Sequence, residues 1–283
     1  MSVAAPASIP GVLDAWTDRP DATLVAGGTD IMVDVNFARR RPSSVIALHN
    51  VGELRERSVG DVGVTIGAGV TYTELQDREL ATAVPALAQA ARTVGSPQIR
   101  NAGTIGGNIG TASPAGDTLP VLVALDAVVD VQGVGGTREV PIDELFTGPK
   151  RTALAAHEVI TAVRVPPCRG PQEFLKVGTR NAMIIATVSV ALVLDRDART
   201  VRVGLGAVGP VALRAVEAER FAEATIDWDD PVRSADATLL TGFADRVADA
   251  ARPIDDHRST AGYRRHAVQI LARRALQRAC SHG

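Results

Sequence analysis

The sequence predicts an α+β protein whose strands and helices are interspersed over residues 1–168 and segregated over residues 169–283. Three observations carry that reading. Short strand-like segments alternate with helix-prone ones between Thr23 and Val165, the pair Pro166-Pro167 stops the chain there, and three strand-like runs followed by three helical ones come after it.

Ser8-Ile9-Pro10-Gly11, followed by residues 12–16, reads as a capped short helix, and Pro20-Asp21 turns the chain into a strand over 23–25. Ala26-Gly27-Gly28-Thr29-Asp30 is the first of two glycine-rich stretches. Residues 29–35 read as a short helix or irregular segment, broken by Arg39-Arg40-Arg41-Pro42, a solvated basic turn. A second strand over 44–48 belongs to a small unit that ends near residue 57. Residues 62–69 show strand periodicity with glycines that permit close packing, and Thr71 and Glu74 stand at capping-box spacing ahead of a helix.

An alanine-rich helix over 85–94 leads through residues 95–100 into the second stretch, Gly103-Thr104-Ile105-Gly106-Gly107-Asn108. The hydroxyl-rich loop 109–120 follows, with the lone carboxylate of Asp117 near its end. A helix over 121–125, a strand over 127–131, a turn over 143–149 and a strand over 158–165 complete this part. Beyond the prolines, strands are predicted over 173–177, 186–195 and 200–208, the last two joined by the turn Asp195-Arg196-Asp197. Helical periodicity then covers 213–222, 232–250 and 260–280.

Composition narrows the function. A length of 283 residues leaves room for two or three compact units, and a net charge of -2 gives no global attraction to nucleic acid or an anionic membrane. Neither partner is expected. Cys168 and Cys280 lack the paired spacing of a disulfide framework or an iron-sulfur site, which fits a reducing cytoplasm. The first ten residues do not resemble a secretory signal. The longest apolar run, 184–194, is too short for the roughly 20 residues of a bilayer span, so no membrane insertion is expected.

Glycine tolerates positive φ and lets backbone N–H groups close in on an anionic oxygen. Either stretch alone is also compatible with a tight turn; two of them, each followed by Thr or Asn, suit a pyrophosphate. A third glycine run, Gly204-Leu205-Gly206-Ala207-Val208-Gly209, matches the dinucleotide pattern G-x-G-x-x-G. That pattern needs a second parallel strand ending in an acid about 20 residues on. Here Asp227, Asp229 and Asp230 follow a polar, helix-like segment, so the run is expected to be a glycine-rich strand end without a nicotinamide site. His49, His157, His257, His266 and His282 are scattered, and neither a metal-ligand cluster nor a nucleophile motif occurs. No catalytic or metal-ligating residue is therefore named. A chain with anion-binding glycines and little reactive equipment suits a cofactor that brings its own chemistry.

The ordered set Leu24-Val25-Ala26-Gly27-Gly28-Thr29-Asp30, Asn101-Ala102-Gly103-Thr104-Ile105-Gly106-Gly107-Asn108-Ile109, Ser113-Pro114-x-x-Asp117, Glu158-Val159-Ile160 and Lys176-Val177-Gly178-Thr179-Arg180 resembles the FAD-binding (medium) subunit of the molybdenum hydroxylases, the family of xanthine dehydrogenase and carbon monoxide dehydrogenase. The resemblance covers essentially the whole chain. It implies an α+β fold of the vanillyl-alcohol-oxidase type: FAD-binding subdomains over 1–57 and 58–168, and a C-terminal domain over 169–283 with a three-stranded antiparallel sheet and a helical bundle.

Carried over by position, the resemblance assigns the FAD diphosphate and neighbouring groups to Val25, Ala26, Gly27, Gly28, Thr29, Asp30 and Ile31, and to Ala102, Thr104, Gly106, Gly107 and Asn108. Thr111 and Ser113 are placed on the flavin side, and Asp117 on a hydroxyl-bearing part of the cofactor. Ile160 is placed at the adenine end, Lys176 on the cofactor, and Val94 at a pocket position where relatives carry an aromatic. The implied role is electron relay. A small iron-sulfur subunit with two [2Fe-2S] clusters would deliver electrons from a molybdenum cofactor on a large subunit, and NAD or another acceptor would take them from FAD. The implied assembly is a dimer of heterotrimers. A stand-alone flavin oxidase or reductase of the same fold, and a non-enzymatic nucleotide-binding protein, are the alternatives.

Overall fold

The computed structural model describes residues 2–281, so His282 lies outside the described residues. The chain opens with a three-stranded parallel sheet in the spatial order Ser2–Ala4, Ser44–Ala47, Thr23–Val25. The first strand is not expected from the sequence, because no residue of Ser2–Ala4 is buried and no apolar run marks it. The helix Ile9–Asp18 packs beside this sheet, and the Ser8 hydroxyl caps it by accepting from the Gly11 N–H. Helix Ile31–Asn36 follows the first glycine-rich turn.

The second unit is a five-stranded antiparallel sheet in the order Arg57–Gly60, Gly63–Gly67, Val159–Val165, Val128–Gly133, Gly136–Pro141. Its two outer strands escape the sequence reading. Arg57–Gly60 is exposed throughout and Gly136–Pro141 nearly so, which leaves no apolar face to announce either. Gly67 must lack a side chain: a β-carbon there would fall 2.4 Å from the Leu54 carbonyl oxygen. Thr71 and Glu74 form the expected reciprocal cap, with Glu74 Oε2 accepting from the Thr71 N–H at 2.8 Å and Thr71 Oγ1 accepting from the Glu74 N–H at 3.3 Å. A 3-10 turn, Glu74–Gln76, follows it, ahead of helix Arg78–Ala83.

Helices Pro85–Thr93 and Leu119–Ala124 pack against the strands of the C-terminal part, and helix Ile105–Thr111 packs on strand Val159–Val165. One hydrophobic core runs through both units without a break, from Val12 and Ile46 to Ile66, Ile105, Leu122 and Val163.

The C-terminal part corrects one expectation. Its antiparallel sheet has four strands, Gln172–Val177, Val188–Asp195, Thr200–Gly206 and Leu213–Arg214, where three were expected. The fourth occupies the start of the predicted helix over 213–222, which begins instead at Val216. Two residues are too few to show a period, and Arg214 is held there by bidentate bonds to Glu219. The predicted helix over 232–250 is likewise two pieces, Pro231–Ser234 and Ala237–Ala250, because Asp236 turns its carboxylate onto the Leu239 N–H and starts a new helix.

Strand Val188–Asp195 is buried along its whole length. Val188, Val190, Leu192 and Leu194 face the helices Val216–Thr225, Ala237–Ala250 and Ala261–Ser281, while Ala191 and Val193 join the core of the N-terminal units. A strand covered on both faces reads as a mainly apolar run without alternation, which accounts for the strand part of the run at 184–194, interrupted there only by Ser189. Among the described residues no helix is long and apolar enough to cross a membrane.

The glycine run at 204–209 is a strand end, as its context predicted. Strand Thr200–Gly206 finishes inside it, and β-carbons at Gly204 and Gly206 would fall 1.9 Å from the Pro120 carbonyl oxygen and 2.3 Å from Ser189 Oγ. These glycines let helix Leu119–Ala124 lie against the sheet.

Candidate functional site

The first glycine-rich stretch is a turn between strand Thr23–Val25 and helix Ile31–Asn36. Gly28 takes a φ of 71°, the left-handed conformation that glycine adopts at no steric cost. Among the described residues no acceptor takes the backbone N–H groups of Gly27, Gly28, Thr29 or Asp30. Four consecutive donors are thus left open on one half-buried turn, which a folded chain normally avoids unless a ligand or water completes them.

The second stretch is built differently. Thr104 caps helix Ile105–Thr111, its hydroxyl accepting from the Gly107 N–H at 3.0 Å. The N–H groups of Ile105 and Gly106 donate to the carbonyls of Val70 and Ala68, and that of Asn108 to Thr104. This stretch spends its donors inside the protein, and Gly106 is pressed onto Ala68, where a β-carbon would meet Ala68 Cβ at 2.5 Å.

The two stretches meet at one point. A β-carbon on Gly27 would lie 1.7 Å from the Ala102 carbonyl oxygen and 2.9 Å from the Gly103 nitrogen. The first turn is therefore seated on the peptide that opens the second.

Asp117 and Lys176 form a second focus. Lys176 Nζ lies 2.5 Å from Asp117 Oδ2, with 8% and 6% of the two side chains exposed. The Thr93 hydroxyl also donates to Oδ2 at 3.2 Å, and the Thr93 carbonyl accepts from Lys176 Nζ at 3.3 Å. Asp117 Oδ1 is buried without a partner among the described residues. Burial pushes the Asp117 carboxyl above its ordinary value, opposed by the Lys176 ammonium and the Thr93 hydroxyl. A buried carboxylate oxygen with no donor costs free energy and calls for one.

The loop between the two foci is pinned at both ends. Asn108 Oδ1 accepts from the Thr118 hydroxyl at 2.5 Å, and the Pro114 carbonyl accepts from the Ala207 N–H at 2.8 Å. Thr111 ends its helix and Ser113 begins this loop, both half-buried. Ile160, on strand Val159–Val165, points at the helix, 3.8 Å from where a Gly110 β-carbon would stand. Val94 is partly buried against the N-terminal core, next to Thr93.

No hydrogen bond among the described residues joins the Asp117–Lys176 pair to the Ala26–Asp30 turn. Tyr72 stands in the field of both. Burial and then the carboxylates of Asp117 and Asp30 raise its phenol well above the ordinary tyrosine value. Neither Tyr72 nor Thr93 was singled out from the sequence. Both act at this point through tertiary placement, and their neighbours in sequence carry no signal for it. Among the described residues no cluster of three or more His, Cys, Asp or Glu side chains is placed to hold a metal ion.

Comparison with known proteins shows the family of the chain. Residues 1–168 match the family model described as the FAD binding domain in molybdopterin dehydrogenase, and residues 173–279 match the CO dehydrogenase flavoprotein C-terminal domain. The nicotine 6-hydroxylase medium subunit of Paenarthrobacter nicotinovorans is 34% identical over 96% of this chain and 95% of its own. The xanthine dehydrogenase FAD-binding subunit of Escherichia coli O157:H7 is 28% identical over 96% of this chain and 94% of its own. Among solved structures, a chain of the cyanide-inactivated Cu,Mo-CO dehydrogenase superposes with a TM-score of 0.91 at 27% identity, covering 100% of this chain and 99% of that one.

Proposed function

This chain belongs to the FAD-binding subunits of the molybdopterin dehydrogenases, and from that premise we propose that it is the electron-relay subunit of a heteromeric molybdenum hydroxylase. FAD is its cofactor, and the residues present fit that group. The open N–H groups of Gly27 to Asp30 suit the diphosphate, for which each donor replaces a water without adding charge. Asp117 Oδ1 suits a hydroxyl of the cofactor's polyol chain, with Lys176 holding the carboxylate in place and balancing its charge. When bound, FAD supplies two-electron chemistry that can be discharged one electron at a time; the chain's own residues bind it, orient it and exclude water from it.

The single observation that carries this reading is the pairing of an open donor turn with the second glycine stretch through Gly27 and Ala102, beside an unpaired buried carboxylate oxygen. The proposed partners are a small iron-sulfur subunit carrying two [2Fe-2S] clusters and a large subunit carrying the molybdenum cofactor, assembled as a dimer of heterotrimers in the cytoplasm. NAD or another acceptor takes the electrons. The substrate is selected on the large subunit.

Purification from the native source tests the proposal. The expected result is a yellow complex of three chains with iron and molybdenum, in which adding substrate bleaches the flavin. A colourless solitary chain, or a lone yellow chain that oxidises a substrate by itself, overturns it.

A further inference from the structure

We propose that the Tyr72 hydroxyl is a hydrogen-bond donor to the diphosphate of the bound cofactor, an inference that rests on the FAD reading above. Tyr72 is only 5% exposed, yet its hydroxyl has no acceptor among the described residues. Unlike Asp117 Oδ1, that oxygen is not fully enclosed. The ring is buried while its hydroxyl stands without a partner among the described residues at an open edge, where a ligand can accept its hydrogen bond.

The ring lies at the seam between the two glycine stretches. The Tyr72 N–H donates to the Gly103 carbonyl at 3.0 Å, and Thr71 bridges to Thr104. A β-carbon on Gly103 would meet Tyr72 Cε2 at 2.7 Å, so Gly103 is glycine because the tyrosine ring occupies that space. The peptide joining Ala102 to Gly103 is the one on which Gly27 sits. Ring and turn thus share the peptide between Ala102 and Gly103 as a common support.

Electrostatics fixes what the hydroxyl can do there. Burial, then Asp117 and Asp30, disfavour the phenolate, so the group stays neutral and keeps its proton at physiological pH. A neutral donor that shares this support with a row of uncharged backbone donors suits an anionic oxygen better than a sugar hydroxyl, which offers a proton as readily as it accepts one.

The test is Tyr72→Phe, which removes one oxygen and keeps the ring against Gly103. The chain is taken as it purifies, with any partner chains, stripped of flavin and titrated with FAD by fluorescence quenching. ADP, which carries the diphosphate without the flavin, is titrated as a competitor. The expected result is about a tenfold weaker FAD and an equally weaker ADP, with the melting temperature of the flavin-free protein unchanged. FAD affinity within twofold of wild type overturns the proposal. So does a variant that loses FAD affinity but keeps ADP affinity, since the hydroxyl would then face the polyol or the ring. A flavin-free variant that melts well below wild type would mean that the hydroxyl serves the fold, and also overturns it. Wild-type protein that binds no FAD sinks the functional reading instead, so the two failures are distinguishable.

Discussion

Gly27 and Ala102 touch backbone to backbone: a β-carbon on Gly27 would fall 1.7 Å from the Ala102 carbonyl oxygen. Neither atom can yield cheaply, because Ala102 closes the helix Pro97–Ala102 and Gly103 is tied back to Ile99 by its N–H at 2.7 Å. The seam between the stretches therefore depends on one missing methyl group.

Gly27→Ala is expected to push the first turn off its seat and to lose most of the bound flavin, read as the ratio of flavin to protein absorbance. Overpacking of this kind costs about 1–3 kcal/mol, measured by urea unfolding. Gly52→Ala is the control, since nothing lies within 4 Å of the β-carbon it would add. Equal flavin content in Gly27→Ala and wild type would refute the seam.

Lys176→Met strands the buried carboxylate of Asp117, and Asp117→Ala strands the ammonium. Each single change is expected to cost about 3–5 kcal/mol, and the double change less than their sum, because the second removes the charge left unpaired by the first. The Asp117 carboxyl is already raised by burial. A raised carboxyl favours the fold in its protonated form, so that contribution is present at low pH and lost as pH rises through the raised value. The penalty of Lys176→Met should accordingly be largest at neutral pH and shrink on acidification. A penalty that grows with acid would contradict the assignment.

Much of this site was legible because its parts are chemically unusual in sequence. Paired glycines followed by Thr or Asn, and a lone Asp in a hydroxyl-rich loop, stand out before any fold is known. What was hidden lies in contacts between distant segments. Thr93 reaches Asp117 and Lys176 only because helix Pro85–Thr93 ends beside strand Gln172–Val177, and Tyr72 reaches the seam only because Thr71 bridges to Thr104. The same holds for the fold. Strand Val188–Asp195, buried on both faces, shows itself as an apolar run, whereas Leu213–Arg214 is too short to carry a pattern and Ser2–Ala4 and Arg57–Gly60 have no buried face. The difference in the roles of the two glycine stretches was also invisible, since donors spent on Val70 and Ala68 look the same in sequence as donors left open.

Arg264 supports the Asp117 loop from behind. It is buried in helix Ala261–Ser281 and donates to the carbonyls of Thr187 and Ala207 at 2.8 Å, with Asp256 as its counter-ion at 2.7 Å. Ala207 in turn donates to Pro114, at the start of the Asp117 loop. Arg264→Met is expected to cost about 3–5 kcal/mol in unfolding experiments, by leaving two buried carbonyls without their donor and the Asp256 carboxylate without one of its two cations. Flavin content should fall with it.

The counter-ion gives this strut a pH signature. Burial works against ionisation of Asp256, but the Arg258 N–H, the Arg264 guanidinium and the Ser259 N–H outweigh it and hold the carboxyl at about 2, below its ordinary 3.8. A lowered carboxyl stabilises the fold in its ionised form, so the contribution is whole above about pH 4 and is lost as pH falls toward about 2. Asp256→Asn removes it. The gap in melting temperature between wild type and variant should be full at about pH 6 and close between about pH 4 and 2. A gap independent of pH would show that Asp256 acts through packing alone.

The glycine run at 204–209 separates two readings of one motif. In a dinucleotide loop the last glycine allows close helix–strand packing and the first allows the tight turn, so both would resist substitution and both would affect ligand binding. Here the first is wedged against backbone and the last is not. A β-carbon on Gly204 would fall 1.9 Å from the Pro120 carbonyl oxygen, whereas one on Gly209 would come closest to the tip of the Leu213 side chain, at 2.5 Å, with the Val211 carbonyl oxygen farther off at 3.3 Å. Leu213 can rotate; the Pro120 carbonyl, in a helix packed on the sheet, cannot. Gly204→Ala is therefore expected to destabilise the chain by about 1–3 kcal/mol, and Gly209→Ala by about 1 kcal/mol or less. Neither should change the affinity for NAD, measured by calorimetry on the purified complex. A selective loss of NAD binding in Gly209→Ala would restore the nucleotide reading of this run.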